Sequence, residues 1–214
     1  VTEIDRISVF RIFVFTSGFM NYEIDLNGNN FPYTNIYYVI FFWEEFKMKL
    51  VKPSLDWKEQ HEDYMEEWGF ERMVPSSLDL TGFPTYEEFL SALEERAQGK
   101  GQWVPSSHYF LVNNMNQIIG MIDIRHELNE YLRTIGGHIG YGIRPSERKK
   151  GYASYLLKEA LAKCKELNIN QVLITCNEEN IGSAKVILNN GGVEEDLFIT
   201  EEGLMKRRFW ISLN

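Results

Sequence analysis

From residue 48 onward, hydrophobic and polar positions follow a regular order of strands and helices. Apolar runs predict strands at 49–52, 108–112, 117–124, 138–143, 171–175, 193–199 and 204–213. Apolar residues at helical spacing predict helices at 56–70, from Thr85 to the Gly-Lys-Gly break at 99–101, at 152–167 and at 181–188. The 113–116 segment, Asn-Asn-Met-Asn, is typical of a hairpin turn. This order of elements indicates an α/β domain.

Residues 1–47 differ in composition from the rest: they lack Ala, Gln, His and Cys and are rich in Phe, Ile, Tyr and Asn. Two apolar runs, 9–15 and 36–42, predict strands on either side of a turn-like cluster at 27–30. Because the codons of these residues are AT-rich, we interpret 1–47 as an atypical extension translated from upstream DNA. Trp-Glu-Glu at 43–45 permits a ribosome-binding sequence before Met48. The alternative is a genuine hairpin appendage, and either way the domain proper spans 48–214.

Composition and charge narrow the function classes. The 214 residues are 44% hydrophobic and 25% charged, which is typical of a folded chain with one core. The formal net charge of -9 disfavours a nucleic-acid partner and suits cationic small molecules or basic peptides. No apolar stretch approaches the ~20 residues of a membrane span, and no secretory signal is expected. Cys164 and Cys176 are predicted to be buried thiols in a cytoplasmic protein, and no ligand cluster indicates a metal.

The segment 140–153 carries the chemistry, because a strand leads there through a basic turn into a helix. Arg148, Lys149 and Lys150 supply positive charge, while Gly151 and Ala153 leave room for an approaching anion. N–H groups at a helix start are unpaired and the helix dipole is positive there, so the turn predicts a pyrophosphate site. The spacing fits neither a Rossmann fingerprint nor a P-loop.

The Arg-Lys-Lys-Gly-Tyr-Ala sequence at 148–153 resembles the Arg/Gln-x-x-Gly-x-Gly/Ala signature of GNAT N-acetyltransferases. Tyr-Gly-Ile-Arg-Pro at 141–145 resembles the strand that precedes that signature in the family, and 177–192 resembles the stretch that flanks the pantetheine arm. The resemblance covers 48–214. It implies the GNAT acyl-CoA N-acyltransferase fold, an α/β architecture with a splayed, mixed central sheet and flanking helices.

The resemblance also implies the ligands. Acetyl-CoA would be the co-substrate, with no metal, and its pyrophosphate would lie on 148–153, including Tyr152. Tyr141 and Ile143 would contact pantetheine through their backbones, and Asn180 and Ser183 would line its far side. An amine of a small molecule or peptide would attack the thioester directly, small molecules being favoured because nothing indicates a peptide-recognition module. Family members often pair as homodimers. The alternative is a GNAT-fold CoA-binding module without turnover.

The catalytic acid and base are not carried over by the resemblance. Gly137 stands where histone-acetylating relatives have a glutamate base, and Ile187 stands where others have a tyrosine acid. The candidate bases are His138, His126 and Glu127, and a water chain is an alternative. Other candidate contacts are Asn129 and Tyr131 in the loop before the 138–143 strand, and Trp57 and Trp68 as the lining of an acceptor pocket.

Overall fold

The structure is a computed structural model that describes residues 48–195, 197–199, 203 and 205–213, together with strands at 12–14 and 39–41. The chain divides into two compact units, Val1–Lys47 and Met48–Asn214. In the first unit, β1 (Ile12–Val14) pairs antiparallel with β2 (Val39–Phe41), inside the two apolar runs that predicted strands. The predicted turn at 27–30 and the 43–45 segment lie outside the described residues.

A four-stranded antiparallel sheet forms the first half of the second unit. Its strands follow chain order: β3 (Lys49–Val51), β4 (Ser106–Val112), β5 (Ile118–Arg125) and β6 (Ile139–Ile143). The predicted turn between β4 and β5 is confirmed. It is closed by the Asn113 side chain, which accepts from the backbone N–H groups of Met115 and Gln117, each at 3.0 Å.

Helices pack on both faces of this sheet. Helices α1 (Lys58–Glu66) and α2 (Tyr86–Ala97) pack on one face, and α3 (Tyr152–Glu166) packs on the other, while α4 (Ile181–Asn189) packs beside α3 and against the second sheet. Phe110 and Leu111, adjacent in β4, are both fully buried, one in each core, because successive side chains of a strand point to opposite faces. The predicted cap of α2 is confirmed: the Thr85 hydroxyl accepts from Glu88 N at 3.2 Å.

The first predicted helix was too long, since α1 ends at Glu66 rather than at residue 70. The chain turns there through backbone bonds that reach back three residues, from Trp68 N to Met65 O at 3.0 Å and from Gly69 N to Glu66 O at 3.2 Å. The tighter turn breaks the α-helical register.

The second sheet is built around β10 (Met205–Ser212), which pairs antiparallel with β7 (Gln171–Asn177), β8 (Val193–Glu194) and β9 (Phe198–Ile199). The prediction of one strand over 193–199 was wrong. From Glu194 to Phe198 the chain advances four residues, while β10 advances three from Phe209 to Lys206. One residue is therefore in excess, and the ladder is interrupted. None of the described helices is long and apolar enough to cross a membrane.

Candidate active site

The two sheets of the second unit touch at the start of β6 and then separate. His138 N donates to the carbonyl of Leu173 at 2.7 Å, and Leu173 N donates to Nδ1 of the His138 ring at 2.9 Å. Past this contact β6 and β7 belong to different sheets, and in the described part of the chain no strand ladder joins them. A gap therefore opens between β6 and β7.

Backbone groups of β6 alternate between β5 and this gap. The carbonyl of His138 accepts from Arg125 N at 2.8 Å, and Arg144 N donates to the carbonyl of Ile119 in β5 at 2.9 Å. Because backbone groups along a strand alternate in direction, Tyr141 and Ile143 direct theirs away from β5, toward the gap. These are the two residues that the sequence predicts as backbone contacts of pantetheine.

The side chain of Tyr141 reaches from β6 to α4. Its hydroxyl lies 2.9 Å from Oγ of Ser183, and the side chain of Asn180 caps α4 by accepting from Ser183 N at 3.0 Å. Burial raises the pKa of Tyr141 to about 12, so the phenol keeps its proton at neutral pH. The sequence predicted only a backbone role for Tyr141, and the structure adds a contact of its phenol hydroxyl with α4.

The loop between β6 and α3 has an unusual backbone. Lys149 has φ = 65° and Gly151 has φ = 87°, both in the left-handed region. Gly151 is the N-cap of α3, and nothing lies within 4 Å of the position that a Cβ there would take. The N–H groups of Tyr152 and Ala153 begin the helix and have no carbonyl one turn earlier. The loop is therefore open to an anion, with exposed Lys149 and Lys150 beside it.

Helix α1 and the turn after it reach this loop through Arg148. The Arg148 guanidinium donates to Glu71 at 2.9 Å, lies 4.7 Å from the ring centre of Trp68 and donates through Nε to the carbonyl of Ile143 at 3.3 Å. Both charged partners are solvent-accessible, with 38% of the Arg148 side chain and 62% of the Glu71 side chain exposed. An anion that binds Arg148 would compete with Glu71.

Arg144 anchors the start of the same loop. It is buried, and its Nη1 contacts Glu67 at 2.6 Å and Asp63 at 2.9 Å. Glu67 also accepts from Ser146 N at 3.2 Å. Although partial burial alone would raise the pKa of Glu67, these hydrogen bonds hold it below its usual value. Sequence reasoning missed Asp63 and Glu67, because nothing local connects them with a loop more than 70 residues away.

The two positions where relatives carry catalytic side chains are unsuited to them here. Gly137 has φ = 65°, and a Cβ on it would stand 2.6 Å from the carbonyl oxygen of Leu173. A glutamate at 137 would therefore collide with β7. Ile187 is fully buried in the core beneath α4. Neither residue can itself act as an acid or a base.

The three predicted base candidates lie at the ends of β5 and β6. The Nδ1 lone pair of His138 is used by Leu173 N, and burial lowers the pKa of His138 to about 4. Nε2 of His126 lies 2.8 Å from Oγ of Ser107, and partial burial lowers the pKa of His126 while nearby Glu127 opposes the shift. Glu127 is exposed. His138 therefore holds the two sheets together, while His126 and Glu127 stand at the surface.

The other predicted substrate contacts lie partly in surface loops and partly against the core. In the loop before β6, Asn129 accepts from Leu132 N at 2.9 Å, which closes a short helical turn, and Tyr131 is exposed. Trp57 packs against the core beneath α1 and α2, and Trp68 lies under Arg148. No group of three His, Cys, Asp or Glu side chains in the described residues is arranged to hold a metal ion.

A buried carboxylate next to β6 was not predicted. Asp123 of β5 is 2% exposed and accepts from Ser77 Oγ at 2.6 Å, Arg125 Nη2 at 3.0 Å and Gly140 N at 3.1 Å. Arg125 also donates to the carbonyl of Gly137 at 3.2 Å. The composition of β5 could have indicated this residue, since Asp123 is the one charged position in a stretch that is otherwise apolar from Ile118 to Ile124.

The family model for the acetyltransferase (GNAT) domain matches residues 48–193. The chain belongs to this family. It is an acetyltransferase, and its chemistry is the transfer of an acetyl group from acetyl-CoA to an amine. The predicted α/β fold with a splayed sheet is confirmed by the family match and by the separation of β6 from β7.

Solved structures show the same fold. A chimera of the Vibrio cholerae spermidine N-acetyltransferase SpeG and hSSAT is 16% identical, with a TM-score of 0.54 over 77% of this chain and 95% of that chain. A Vibrio cholerae protein assigned as a ribosomal-protein-serine acetyltransferase is 17% identical, with a TM-score of 0.55 over 78% of this chain and 94% of that chain. No curated protein matches in sequence.

Proposed function

We propose that this acetyltransferase binds acetyl-CoA along β6 and the start of α3, and acetylates a primary amine of a small molecule or peptide. The observation that carries the proposal is the continuity of two features: β6 borders the gap between the sheets, and its end leads directly into the basic loop that caps α3. A pantetheine arm in the gap and a pyrophosphate on the loop would therefore be parts of one extended ligand.

The loop would hold the pyrophosphate by charge and by backbone. Arg148, Lys149 and Lys150 supply positive charge, while Gly151, Tyr152 and Ala153 bring the N-terminus of α3 to the phosphate oxygens. Lys150 pairs with the half-buried Glu147 at 3.0 Å, and 51% of the Lys150 side chain remains exposed. Tyr141 and Ile143 would offer backbone groups to the pantetheine amides, and Asn180 and Ser183 would line the opposite side.

In the reaction the amine nitrogen attacks the thioester carbonyl, the C–N bond forms, and the C–S bond breaks. Tyr141 is placed to give its phenolic proton to the departing thiolate, since it belongs to β6 beside the gap and its hydroxyl lies 2.9 Å from Ser183 Oγ on α4. Tyr141 would then take the role of the tyrosine acid that other family members carry at the position of Ile187. His138 is suited to orienting β6, because taking a proton on Nδ1 would break its bond to Leu173. His126 and Glu127 are suited to contacting an acceptor at the end of β5.

Small-molecule amines, including polyamines, are the acceptors we favour. The net charge of -9 attracts cations, and one structural neighbour is named as a spermidine N-acetyltransferase. Another is named for a ribosomal protein, which keeps a peptide amine as the second acceptor class. A cytoplasmic location is consistent with the two free thiols, Cys164 and Cys176.

The test is amine-dependent release of free CoA thiol from acetyl-CoA, measured over polyamines, aminoglycosides, amino-acid derivatives and basic peptides. We expect release with at least one amine and a matching acetylated product by mass spectrometry. Arg148→Gln should raise the KM for acetyl-CoA, whereas the matched control Lys52→Gln, which removes an exposed charge elsewhere, should not. Equal KM values for the two variants would contradict the pyrophosphate site. CoA binding without release on any amine would indicate a module that does not turn over.

A further inference from the structure

Gly137 has no side chain that could accept a proton from the attacking amine. A carboxylate that acts as the base would therefore have to come from another element. Asp123 is the buried carboxylate nearest to β6 in the described network: its Oδ1 accepts from Gly140 N at 3.1 Å, one residue before Tyr141. A Cβ on Gly140 would stand 3.0 Å from that oxygen and 3.3 Å from Pro75. Asp123 therefore lies beside the strand that borders the thioester gap.

Ser77 lies between the buried Asp123 carboxylate and the more exposed Arg96 side chain. Its hydroxyl donates to Asp123 Oδ2 at 2.6 Å, and its backbone carbonyl is held by Arg96 Nη1 at 2.6 Å. Ser77 is half-buried, whereas Asp123 is 2% exposed. A molecule that approaches from the α1–α2 face would meet the Ser77 oxygen before it could meet Asp123.

The direction of the hydrogen bond determines what Ser77 can bind. A serine hydroxyl has one proton and two lone pairs, and an ionised carboxylate can only accept. Arg125 Nη2 contacts the same Asp123 oxygen at 3.0 Å. The single proton of Ser77 is thus committed to Asp123, and the oxygen presents lone pairs alone. Such an oxygen selects a hydrogen-bond donor, which an amine is.

Three basic side chains surround Asp123. Arg125 faces Asp123 from its own strand, Arg96 from α2 and His108 from β4. Burial lowers the pKa of His108 to about 4, so this ring is neutral at neutral pH. Nε2 of His108 is buried with no hydrogen-bond partner in the described residues.

We propose that Ser77 is a catalytic residue that receives the acceptor amine, and that Asp123 is the positioning residue that orients Ser77 and takes up the proton. This rests on the proposed function. As the C–N bond forms, the nitrogen becomes cationic and gives a proton to Ser77 Oγ, while the proton of Ser77 passes to Asp123 Oδ2. The C–S bond breaks, its electron pair leaves with sulfur, and the thiolate is protonated by Tyr141. Asp123 then returns its proton to solvent, and Tyr141 regains one from solvent.

The test compares Ser77→Ala, Ser77→Thr and Asp123→Asn in the full chain, with Ser76→Ala as the matched control, because Ser76 is exposed in the same turn. The readouts are kcat and KM for the best amine, and Kd for CoA by calorimetry. We expect Ser77→Ala and Asp123→Asn to lower kcat by on the order of 100-fold with an unchanged Kd for CoA, since proton transfer typically contributes that much or more. Ser77→Thr, which keeps the hydroxyl, should retain kcat within about threefold.

The outcomes separate this role from the proposed function. Wild-type kcat in Ser77→Ala would overturn the role of Ser77 and leave the acetyltransferase assignment intact. Loss of both CoA binding and turnover in Ser77→Thr and Ser77→Ala alike would show that Ser77 acts only in folding, which also overturns the role. Absence of amine-dependent thiol release in the wild type, with CoA still bound, would overturn the proposed function and this inference together.

Discussion

Replacing Glu71 by glutamine should tighten the binding of CoA. In the structure the Arg148 guanidinium is paired with Glu71 at 2.9 Å, and the same guanidinium is the first charge of the predicted pyrophosphate loop. A pyrophosphate that binds Arg148 has to displace the carboxylate. Glutamine keeps the shape of the side chain but removes the charge that competes.

The size of the effect follows from the exposure of the pair. With 38% and 62% of the two side chains exposed, the ion pair belongs to the class that contributes about 0.2–1 kcal/mol. Its loss should lower the Kd for CoA by a factor between about 1.5 and 5. Arg148→Gln should raise the Kd by roughly 10-fold to 100-fold, because it removes charge-assisted hydrogen bonds of about 1.5–3 kcal/mol.

The assay is isothermal titration of CoA into the wild type, Glu71→Gln, Arg148→Gln and the double variant, with Glu95→Gln as a control for an exposed carboxylate on α2. The gain from Glu71→Gln should vanish in the Arg148→Gln background and shrink as salt is raised. An equal gain in CoA affinity in both backgrounds would show that the negative charge of Glu71 weakens CoA binding without acting through Arg148. Weaker binding of CoA by Glu71→Gln would refute the competition and the placement of pyrophosphate on Arg148.

Three further predictions follow. Tyr141→Phe should lower kcat by on the order of 100-fold without changing the Kd for CoA, as rapid-quench or steady-state assays can determine, and unchanged kcat would exclude the phenol as proton donor. Burial lowers the pKa of His61 to about 4, so His61 alone should decrease the free energy of unfolding by up to about 3 kcal/mol as pH falls from 6.5 to 4, and His108 and His138 should add to this loss; denaturant midpoints that stay constant over this range would contradict it. A protein that begins at Met48 should melt cooperatively and bind CoA as the full chain does, whereas a molten or insoluble product would show that 1–47 belongs to the fold.

Local signals explain which parts of the fold were predictable. Helix α3 has a strong apolar period and a glycine at its N-cap, and the start of α2 has a threonine whose side chain caps it. Such features are encoded within a few residues. The break between β8 and β9 depends instead on the register against β10, and no feature within 193–199 reveals the extra residue.

The same distinction holds for the site. A basic, glycine-containing turn before a helix indicates an anion site from its own residues, so 148–153 could be proposed from sequence. The contact between Ser77 and Asp123 spans 46 residues, and that between Glu71 and Arg148 spans 77. Neither pair has a sequence pattern of its own. Likewise, the carbonyl of Leu173 that excludes a side chain at Gly137 comes from another strand.

The most direct test of the account is hydrogen–deuterium exchange of the full chain with and without CoA. We expect CoA to protect the amides of Tyr141 and Ile143, those at the start of α3 from Gly151 to Ala153, and those at the start of α4 near Ser183, and to leave the exposed outer turns of α2 unchanged. Protection confined to other segments, with these amides unaffected, would contradict the placement of acetyl-CoA along β6 and the proposed site as a whole.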